Sequence, residues 1–257
     1  MTTPRFFIPS KEINWQEKKA NVSSPDQLHK ISRVLRLRTD DQIVLLDGSG
    51  IAYNAQIMSF LPRTIQCRLL SRKSLNTEPD LKITICQALL KGSKFDFALQ
   101  KNTEIGVCEF IPLVTERTVI RTEDGENGKD SDNKIIRYQR IVRDAAEQSE
   151  RGAIPKVGDC LSIDELCKQN LSSYDLKLVC LERSQTNGIK EVLNSVQTKI
   201  QKVIVVIGPE GGLTEDEAKI LSSNGFTPVT LGKRIFRAET AGMVISSILF
   251  FYFNELK

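Results

Sequence analysis

A glycine-rich bend after an apolar run is the strongest candidate for ligand binding in this sequence. Residues 203–207 are all valine or isoleucine, and Gly-Pro-Glu-Gly-Gly follows them. Gly208, Gly211 and Gly212 lack side chains, so another molecule can approach their main-chain N–H and C=O groups closely. The dinucleotide fingerprint G-x-G-x-x-G and the phosphate-binding G-x-x-x-x-G-K-[ST] are both absent, which leaves conventional nucleotide cradles unsupported. A tight turn without a ligand is the alternative interpretation.

Two further segments combine cations with helical patterns. After Leu231, the sequence Gly-Lys-Arg-Ile-Phe-Arg leads into a predicted helix, and small residues permit close packing where that helix begins: Ala238, Ala241 and Gly242. A second helix, predicted at residues 134–151, has side chains compatible with one polar face: Arg137, Arg140, Gln148 and Arg151. Such a face either binds phosphate or faces solvent, and the sequence leaves both open.

The elements that must position these residues follow an alternating pattern in the larger part of the chain. Apolar runs occur at residues 83–90, 110–114, 176–181, 203–207 and 228–231. Helical segments are predicted at 93–105, 134–151, 187–196, 214–223 and 239–254, and Thr214 with Glu217 forms a capping box for the fourth. This alternation predicts an α/β fold with a parallel sheet covered on both faces. Ligands of such sheets bind beyond the carboxyl ends of the strands.

The first part of the chain reads as a small β-barrel. Strands are predicted at residues 42–47, 51–60 and 64–70, and a short helix at 26–38. A polar segment without periodicity, residues 71–79, marks a domain boundary. We therefore expect one domain at residues 1–73 and a second at residues 78–257.

The net charge of +4 is unevenly distributed. Residues 1–74 hold 12 Lys or Arg against 6 Asp or Glu, whereas the other 183 residues hold 24 against 26. The basic excess therefore lies wholly in the first domain. It suggests a surface for a polyanion, of which nucleic acid is the commonest, although a solvated basic face explains it as well.

Composition excludes several other classes of protein. His29 is the one histidine, so a zinc site with several imidazoles is impossible, and no metal is expected. The six cysteines are scattered without a C-x-x-C pair, which is typical of cytosolic free thiols. The longest apolar stretch, residues 244–253, is about half of what a membrane span requires. Because the start of the chain lacks a signal-peptide core, we expect a cytoplasmic protein without membrane attachment.

One segment breaks the alternation. Residues 122–133 carry five acidic side chains and no apolar one. The segment is similar to a calcium loop only superficially, because a lysine stands where an oxygen ligand is needed. We expect a mobile, solvated loop there.

Eight ordered blocks are spread along nearly the whole chain. They are residues 5–8 (RFFI), His29 with 34–37 (VLRL), 47–53 (DGSGIAY), 91–95 (KGSKF), 100–106 (QKNTEIG), 147–151 (EQSER), 207–212 (IGPEGG) and 231–241 (LGKRIFRAETA). Together they resemble the RsmE family, S-adenosylmethionine-dependent methyltransferases of the SPOUT superfamily that methylate N3 of one uridine in 16S ribosomal RNA. Departures from the family pattern are small: Asn102 for the usual alanine, Leu213 where phenylalanine is common, and Phe236 for leucine.

The resemblance implies an N-terminal PUA-like β-barrel and an α/β domain whose C-terminal part forms a deep trefoil knot, a rare exception to the usual topological rules. It also implies a homodimer with the target site formed across the subunit interface. In this family the methyl donor, S-adenosylmethionine, lies bent among three loops, here the loop after Leu181, residues 208–213 and residues 232–240. The implied contact residues are Leu181, Gly208, Gly211, Gly212, Leu231, Gly232, Ile235, Phe236, Arg237 and Thr240.

The reaction that the resemblance implies sets chemical demands. Uridine N3 carries a proton with a pKa well above neutrality, so methyl transfer needs a base or stabilisation of the uridine anion. We hypothesise that Glu210 or Glu147 takes the proton and that Arg237 or Arg151 stabilises charge on the uracil oxygens. The alternative is structural: Glu210 only caps a loop, and Arg237 only pairs with Glu239 or a helix end. RNA phosphates should meet the basic first domain, with four candidates: Arg5, Arg33, Arg36 and Arg38.

Three other functions stay open. A SPOUT enzyme with a transfer RNA base or a ribose hydroxyl as target would use the same site chemistry. A non-catalytic RNA-binding assembly factor would have the fold without turnover. An unrelated α/β enzyme would use residues 208–212 as an anion loop at the helix that follows.

Overall fold

The computed structural model describes residues 3–118, 128–181 and 187–256, with the side chains of residues 128–132 left out. The chain divides into two compact units, Met1–Glu78 with Ala146–Ile154, and Pro79–Ala145 with Pro155–Lys257. The segment Ala146–Ile154, which the sequence placed in the second domain, thus packs with the first unit. The first half of the acidic loop predicted at residues 122–133, residues 122–127, lies outside the described residues. Its end does not form a loop, because a helix already begins at Gly128.

The first unit is built around a mixed six-stranded sheet that curls into a half-barrel. Its strands are β1 (Arg5–Phe7), β2 (Ile13–Asn14), β3 (Lys19–Val22), β4 (Gln42–Leu46), β5 (Ile51–Leu61) and β6 (Thr64–Ser74), in the spatial order β1-β4-β5-β6-β3-β2. β1 is parallel to β4, and the other pairs are antiparallel. Ile43, Leu45, Ala55, Ile57 and Ile65 alternate along their strands with outward residues and fill the core.

The three strands predicted for this unit are confirmed, and two differences have local causes. β6 continues four residues beyond the predicted end, because its polar residues to Ser74 pair with β5 as far as Ile51. The predicted helix 26–38 is shorter: α1 (Pro25–His29) passes into a π-helical turn that ends at Val34. The chain cannot extend this helix because Arg36 adopts a φ of +53°, in the left-handed region.

The second unit contains a parallel sheet in the order β10-β8-β7-β12-β11-β13, with β9 also paired to β8. Its strands are β7 (Lys82–Ala88), β8 (Glu109–Val114), β9 (Lys156–Val157), β10 (Leu161–Ser162), β11 (Leu176–Cys180), β12 (Lys202–Ile207) and β13 (Thr227–Val229). Its helices are α2 (Lys94–Ile105), α4 (Ile163–Lys168), α5 (Ile189–Ser195), α6 (Glu215–Ser223) and α7 (Ala238–Tyr252), and α3 (Gly128–Gln148) ends inside the segment that joins the first unit.

Both faces of this sheet are covered by helices, as the alternating sequence predicted. On one face, Ile204 and Val206 of β12 pack with Leu166 of α4 and Leu221 of α6. On the other, Ile207 meets α7, which also packs on α2. The predicted α/β fold is therefore confirmed, although β9, β10 and α4 were not predicted, because each has at most six residues. None of the helices in the described ranges is long and apolar enough to cross a membrane.

A tight contact fixes α7 against α2. A Cβ atom on Gly242 would lie 2.8 Å from Nδ2 of Asn102 and 3.2 Å from Cδ1 of Ile207. Asn102 cannot move freely, because its buried amide donates to the carbonyl of Ala98 and accepts from the hydroxyl of Ser246. Gly242 therefore sets the distance between the two helices and the sheet.

We predict that Gly242→Ala lowers the free energy of unfolding by about 1–3 kcal/mol, because the added methyl group overpacks a buried contact. Denaturant unfolding followed by circular dichroism measures this. Gly158→Ala is the matched control, since a Cβ there would meet no atom closer than 3.7 Å. Equal stability of the two variants would contradict the importance of the contact.

Candidate functional site

A cavity of about 1000 Å³ opens at the carboxyl ends of β11, β12 and β13 in the second unit. Leu181 follows β11, Gly208 follows β12, and Thr230 follows β13. All three residues line the cavity, so the segments after these strands meet there. This is where parallel sheets bind ligands, as expected from the strand pattern. The lining includes seven of the ten residues implied for donor binding: Leu181, Gly208, Gly211, Gly212, Leu231, Ile235 and Phe236.

The loop after β12 disfavours side chains at its three glycines, two by lack of space and Gly212 by its backbone conformation. A Cβ atom on Gly208 would lie 3.1 Å from Cγ and 3.2 Å from the backbone nitrogen of Leu213. One on Gly211 would lie 3.3 Å from Cβ of Arg117, and Gly212 has a φ of +70°. The glycine pattern thus reflects a compact loop in which main-chain atoms line the cavity.

Two side chains hold this loop from outside its own sequence. The Arg117 guanidinium donates to the carbonyl oxygen of Gly211 over 3.0 Å. The buried carboxylate of Glu217 accepts from the backbone nitrogens of Thr214 and Glu116, 2.9 Å each, which confirms the predicted capping box and ties it to the chain after β8. Arg117 was missed by the sequence analysis because it lies 94 positions from its partner.

Glu210 projects from the same loop toward the start of α2. Its Oε1 accepts hydrogen bonds from Nζ of Lys94 at 3.1 Å and from the backbone nitrogen of Lys91 at 3.3 Å. Partial burial alone would raise the pKa of Glu210, but its hydrogen bonds with backbone groups and Lys94 hold that pKa below its usual value. Glu210 is therefore anionic at neutral pH. Lys91 and Lys94 belong to the sequence block 91–95, so their hydrogen bonds with Glu210 join that block to the glycine loop.

The segment between β13 and α7 supplies the remaining wall. Arg234 and Ile235 line the cavity, whereas Gly232, Arg237 and Thr240 are not among its described lining residues. Gly232 has a φ of +117°, which favours glycine. Residues 182–186, most of the loop expected after Leu181, lie outside the described residues.

Arg237 is the residue immediately before α7. Its side chain is 83% exposed, and its nearest acidic partner is Glu239, with an N–O distance of 4.0 Å. At this distance and exposure the pair contributes little to stability. Arg237 is thus structurally available for another partner.

Glu147 and Arg151, the other two residues proposed for catalysis, belong to the first unit. Glu147 is 3% exposed, and its oxygens accept from the backbone nitrogen of Phe7, the amide of Gln27 and the ammonium of Lys30. Arg151 is 5% exposed and pairs with Glu78. Burial alone would raise the pKa of Glu78, but hydrogen bonds from Arg151 and from two backbone nitrogens lower it.

The four arginines proposed for RNA binding differ in availability. Arg33, Arg36 and Arg38 are exposed around the π-helical turn, next to the exposed apolar side chains of Val34 and Leu35. Arg5 instead forms an ion pair with Glu150 and is mostly buried. Within the described ranges, no group of His, Cys, Asp and Glu could hold a metal ion.

Comparisons with known proteins agree with this architecture. Residues 77–250 match the model of the RNA methyltransferase domain family. Ribosomal RNA small subunit methyltransferase E of Synechocystis is 39% identical over 85% of this chain and 68% of its own, and that of Bacillus subtilis is 30% identical over 95% of both chains. The Neisseria gonorrhoeae enzyme of the same name, solved with S-adenosylmethionine, superposes with a TM-score of 0.83 at 29% identity and covers 97% of this chain and 98% of its own.

We predict that Lys94→Gln raises the pKa of Glu210 toward its ordinary value, because the variant removes a charged hydrogen-bond donor. Carboxyl ¹³C NMR across an acid titration measures this, with Lys94→Arg as the control that keeps the charge. Since the folded-state pKa is lowered, the stabilisation is complete above the unfolded-state pKa and is lost as the pH falls through the folded-state value. A Glu210 pKa that is the same in the wild type and Lys94→Gln would show that Lys94 does not stabilise the carboxylate.

Proposed function

This chain belongs to the ribosomal RNA small subunit methyltransferase E family, and on that premise we propose that it transfers a methyl group from S-adenosylmethionine to N3 of one uridine in 16S ribosomal RNA. The observation that carries the proposal is the cavity at the carboxyl ends of β11, β12 and β13. Its lining includes residues of two sequence blocks that resemble the family, 207–212 and 231–241. The choice of uridine N3 rests on the family resemblance.

The cavity fits the methyl donor in size and in chemistry. Its volume of about 1000 Å³ is at the upper end of small-molecule sites. We propose that the donor is held mainly by backbone groups of residues 208–212 and 231–237, with Leu181, Ile235 and Phe236 as apolar walls and with Gly232, Arg237 and Thr240 at the margin. When bound, S-adenosylmethionine supplies an electrophilic methyl group on a positively charged sulfur.

The protein must also deal with the proton on uridine N3. Loss of this proton places negative charge on the uracil oxygens, which a nearby cation stabilises. We propose that Arg237 is that cation, because its side chain is exposed and its neighbours in the sequence, Phe236 and Ala238, line the cavity. Glu210, whose pKa is lowered, is a weak base, so we propose that it orients the N3–H group by accepting its hydrogen bond. The N3 proton then passes to solvent water as the methyl group bonds to N3.

Glu147 and Arg151 were the alternative catalytic pair. The hydrogen bonds of Glu147 and the ion pair of Arg151 within the first unit favour a structural role for both. Removing one partner of such a buried pair is costly, so both residues would be retained for stability alone.

We further propose that residues 1–73, with which Ala146–Ile154 is grouped in the first unit, form the RNA-binding domain, and that the rest of residues 78–257 forms the methyltransferase domain. We also propose that the protein is a homodimer and that it acts in the cytoplasm, where small ribosomal subunits are found. RNA binding is supported by the exposed Arg33, Arg36 and Arg38. Dimer formation is supported by exposed apolar side chains at the end of α7 and just beyond it: Phe251, Tyr252 and Leu256.

The proposed function is tested by incubating the purified protein with labelled S-adenosylmethionine and small ribosomal subunits from a strain that lacks the modification. We predict label on N3 of a single 16S uridine, located by nuclease digestion and mass spectrometry. Label on another base or on a ribose would keep the enzyme class and change the target. Donor binding without any transfer would favour the non-catalytic assembly factor instead, and tight binding of phosphate without donor binding would favour an anion-site enzyme.

In this assay Arg237→Gln should lower kcat by about 10²- to 10³-fold, as expected for loss of one group that stabilises a developing oxyanion. Lys190→Gln, which removes an exposed cation outside the cavity lining, is the control and should keep kcat within a few fold. Calorimetric titration with S-adenosylmethionine separates donor binding from turnover. Unchanged kcat in Arg237→Gln would remove Arg237 from the mechanism, and a change confined to the donor Kd would make it a donor-binding residue.

We predict that the wild type has twice the monomer mass in light scattering after size exclusion and that Phe251→Asp shifts it to the monomer. Phe251 is 72% exposed, so a charge there costs the folded monomer little. Ile136→Asp, which changes a similarly exposed residue on α3, is the control and should stay dimeric. A monomeric wild type, or a dimeric Phe251→Asp variant, would exclude dimerisation through the end of α7.

A further inference from the structure

Arg117 reaches from the turn after β8 to the glycine loop after β12, within the second unit. Its Nη1 donates to the carbonyl oxygen of Gly211 over 3.0 Å and, more weakly, to that of Leu213 over 3.5 Å. Its stem covers Gly211, where an added Cβ atom would lie 3.3 Å from Cβ and 3.5 Å from Cδ of Arg117. Arg117 therefore contacts the loop through both its charged head and its aliphatic stem.

The turn that carries Arg117 is itself held by hydrogen bonds. The backbone nitrogen of Thr118 donates to the carbonyl oxygen of Thr115 over 3.0 Å, and the backbone nitrogen of Thr115 donates to the hydroxyl oxygen of Thr118 over 2.9 Å. Both threonines are buried. Between them, the backbone nitrogen of Glu116 donates to the carboxylate of Glu217 in α6. The backbone from which Arg117 projects is thus fixed on both sides.

The glycine loop gains order from these contacts. A loop with three glycines has many accessible backbone conformations, and fixing one of them costs conformational entropy. Within the loop, the backbone nitrogen of Gly212 donates to the carbonyl oxygen of Pro209 over 2.9 Å, which closes a turn. Arg117 binds the carbonyl groups on either side of Gly212, those of Gly211 and Leu213. A ligand that uses the main-chain groups of the loop therefore meets them already ordered.

We propose that Arg117 is a positioning residue for the methyl donor, because it holds residues 208–213 in the conformation that the donor binds. It acts through the main chain of Gly211 and Leu213 and not through the reacting atoms. The inference rests on the proposed function, in which this loop holds the donor by its backbone groups. Lysine is a poor substitute, because its ammonium lacks the planar set of donors that a guanidinium presents to two carbonyl groups.

Calorimetric titration of Arg117→Gln with S-adenosylmethionine tests the inference. The donor Kd should rise about 10- to 30-fold, as expected for loss of hydrogen bonds from a charged and exposed donor. Arg117→Lys should recover part of the affinity. At saturating donor and ribosomal subunits, kcat should stay within a few fold of the wild type, because the loop holds the donor alike in the ground state and in the transition state.

Lys177→Gln is the matched control. Nζ of Lys177 also donates to a loop carbonyl oxygen of the second unit, that of Asn224, over 3.0 Å. Neither Lys177 nor Asn224 is among the described residues that line the cavity. The control should therefore keep the donor Kd of the wild type. Arg117→Gln and Lys177→Gln should unfold at similar Tm, so that a weaker donor affinity in the first alone does not reflect a general loss of stability.

A second ligand separates positioning from direct contact, since Arg117 also lines the cavity. Decarboxylated S-adenosylmethionine lacks the anionic group with which a guanidinium would pair. A residue that acts through the loop should weaken the binding of both ligands by the same factor when it is replaced by glutamine. A loss confined to the donor with the carboxylate would overturn the inference and make Arg117 a direct ligand of the donor.

Two further results would contradict the inference: a wild-type donor Kd in Arg117→Gln, or an equal loss of affinity in Lys177→Gln. The proposed function fails separately. A wild type that binds the donor more tightly than Arg117→Gln but leaves ribosomal subunits unmethylated refutes that function alone. Methylation by the wild type, together with unaltered donor affinity in Arg117→Gln, refutes this inference alone, and a wild type that does not bind the donor refutes both.

Discussion

The lack of space for side chains around the end of β12 is the constraint on which the second unit depends. Added Cβ atoms at Gly208, Gly211 and Gly242 would each meet a neighbouring atom at 3.3 Å or less. The first two glycines let the loop fold back on Leu213 and Arg117, and the third lets α7 approach β12 and α2. The end of β12 also forms one wall of the cavity. The glycines there therefore have two effects: they let the backbone pack closely, and they leave main-chain groups accessible to a ligand.

Carboxylates play a different part from the one that reaction chemistry alone suggests. Glu147, Glu210 and Glu217 each accept two or more hydrogen bonds from backbone or cationic donors. Carboxylates bonded in this way hold elements together, and at Glu210 the hydrogen bonds also hold the pKa below its usual value. A mechanism that uses Glu210 must therefore depend more on cations that stabilise the uracil anion than on a strong base.

The sequence predicted the architecture better than the roles of individual residues. Alternation of apolar and helical segments predicted the parallel sheet, and Thr214 with Glu217 predicted the start of α6, because both signals are local. Arg117 could not be found this way, since its contact with Gly211 depends on how distant loops meet. The short elements β9, β10 and α4 lack enough residues to show a period, and pairing partners far along the chain decide them.

The contrast between Arg151 and Arg237 shows why a matched sequence block does not assign a role. Both arginines lie in blocks that resemble the same family, and both are suited to stabilise an oxyanion. Arg151 is 5% exposed against Glu78, whereas Arg237 is 83% exposed. A guanidinium that is already paired and desolvated gains little from a new anion and loses its partner in reaching it. A chain retains an arginine for either reason, so burial and pairing, which only the structure supplies, must separate the residue that supports the fold from the one that meets the substrate.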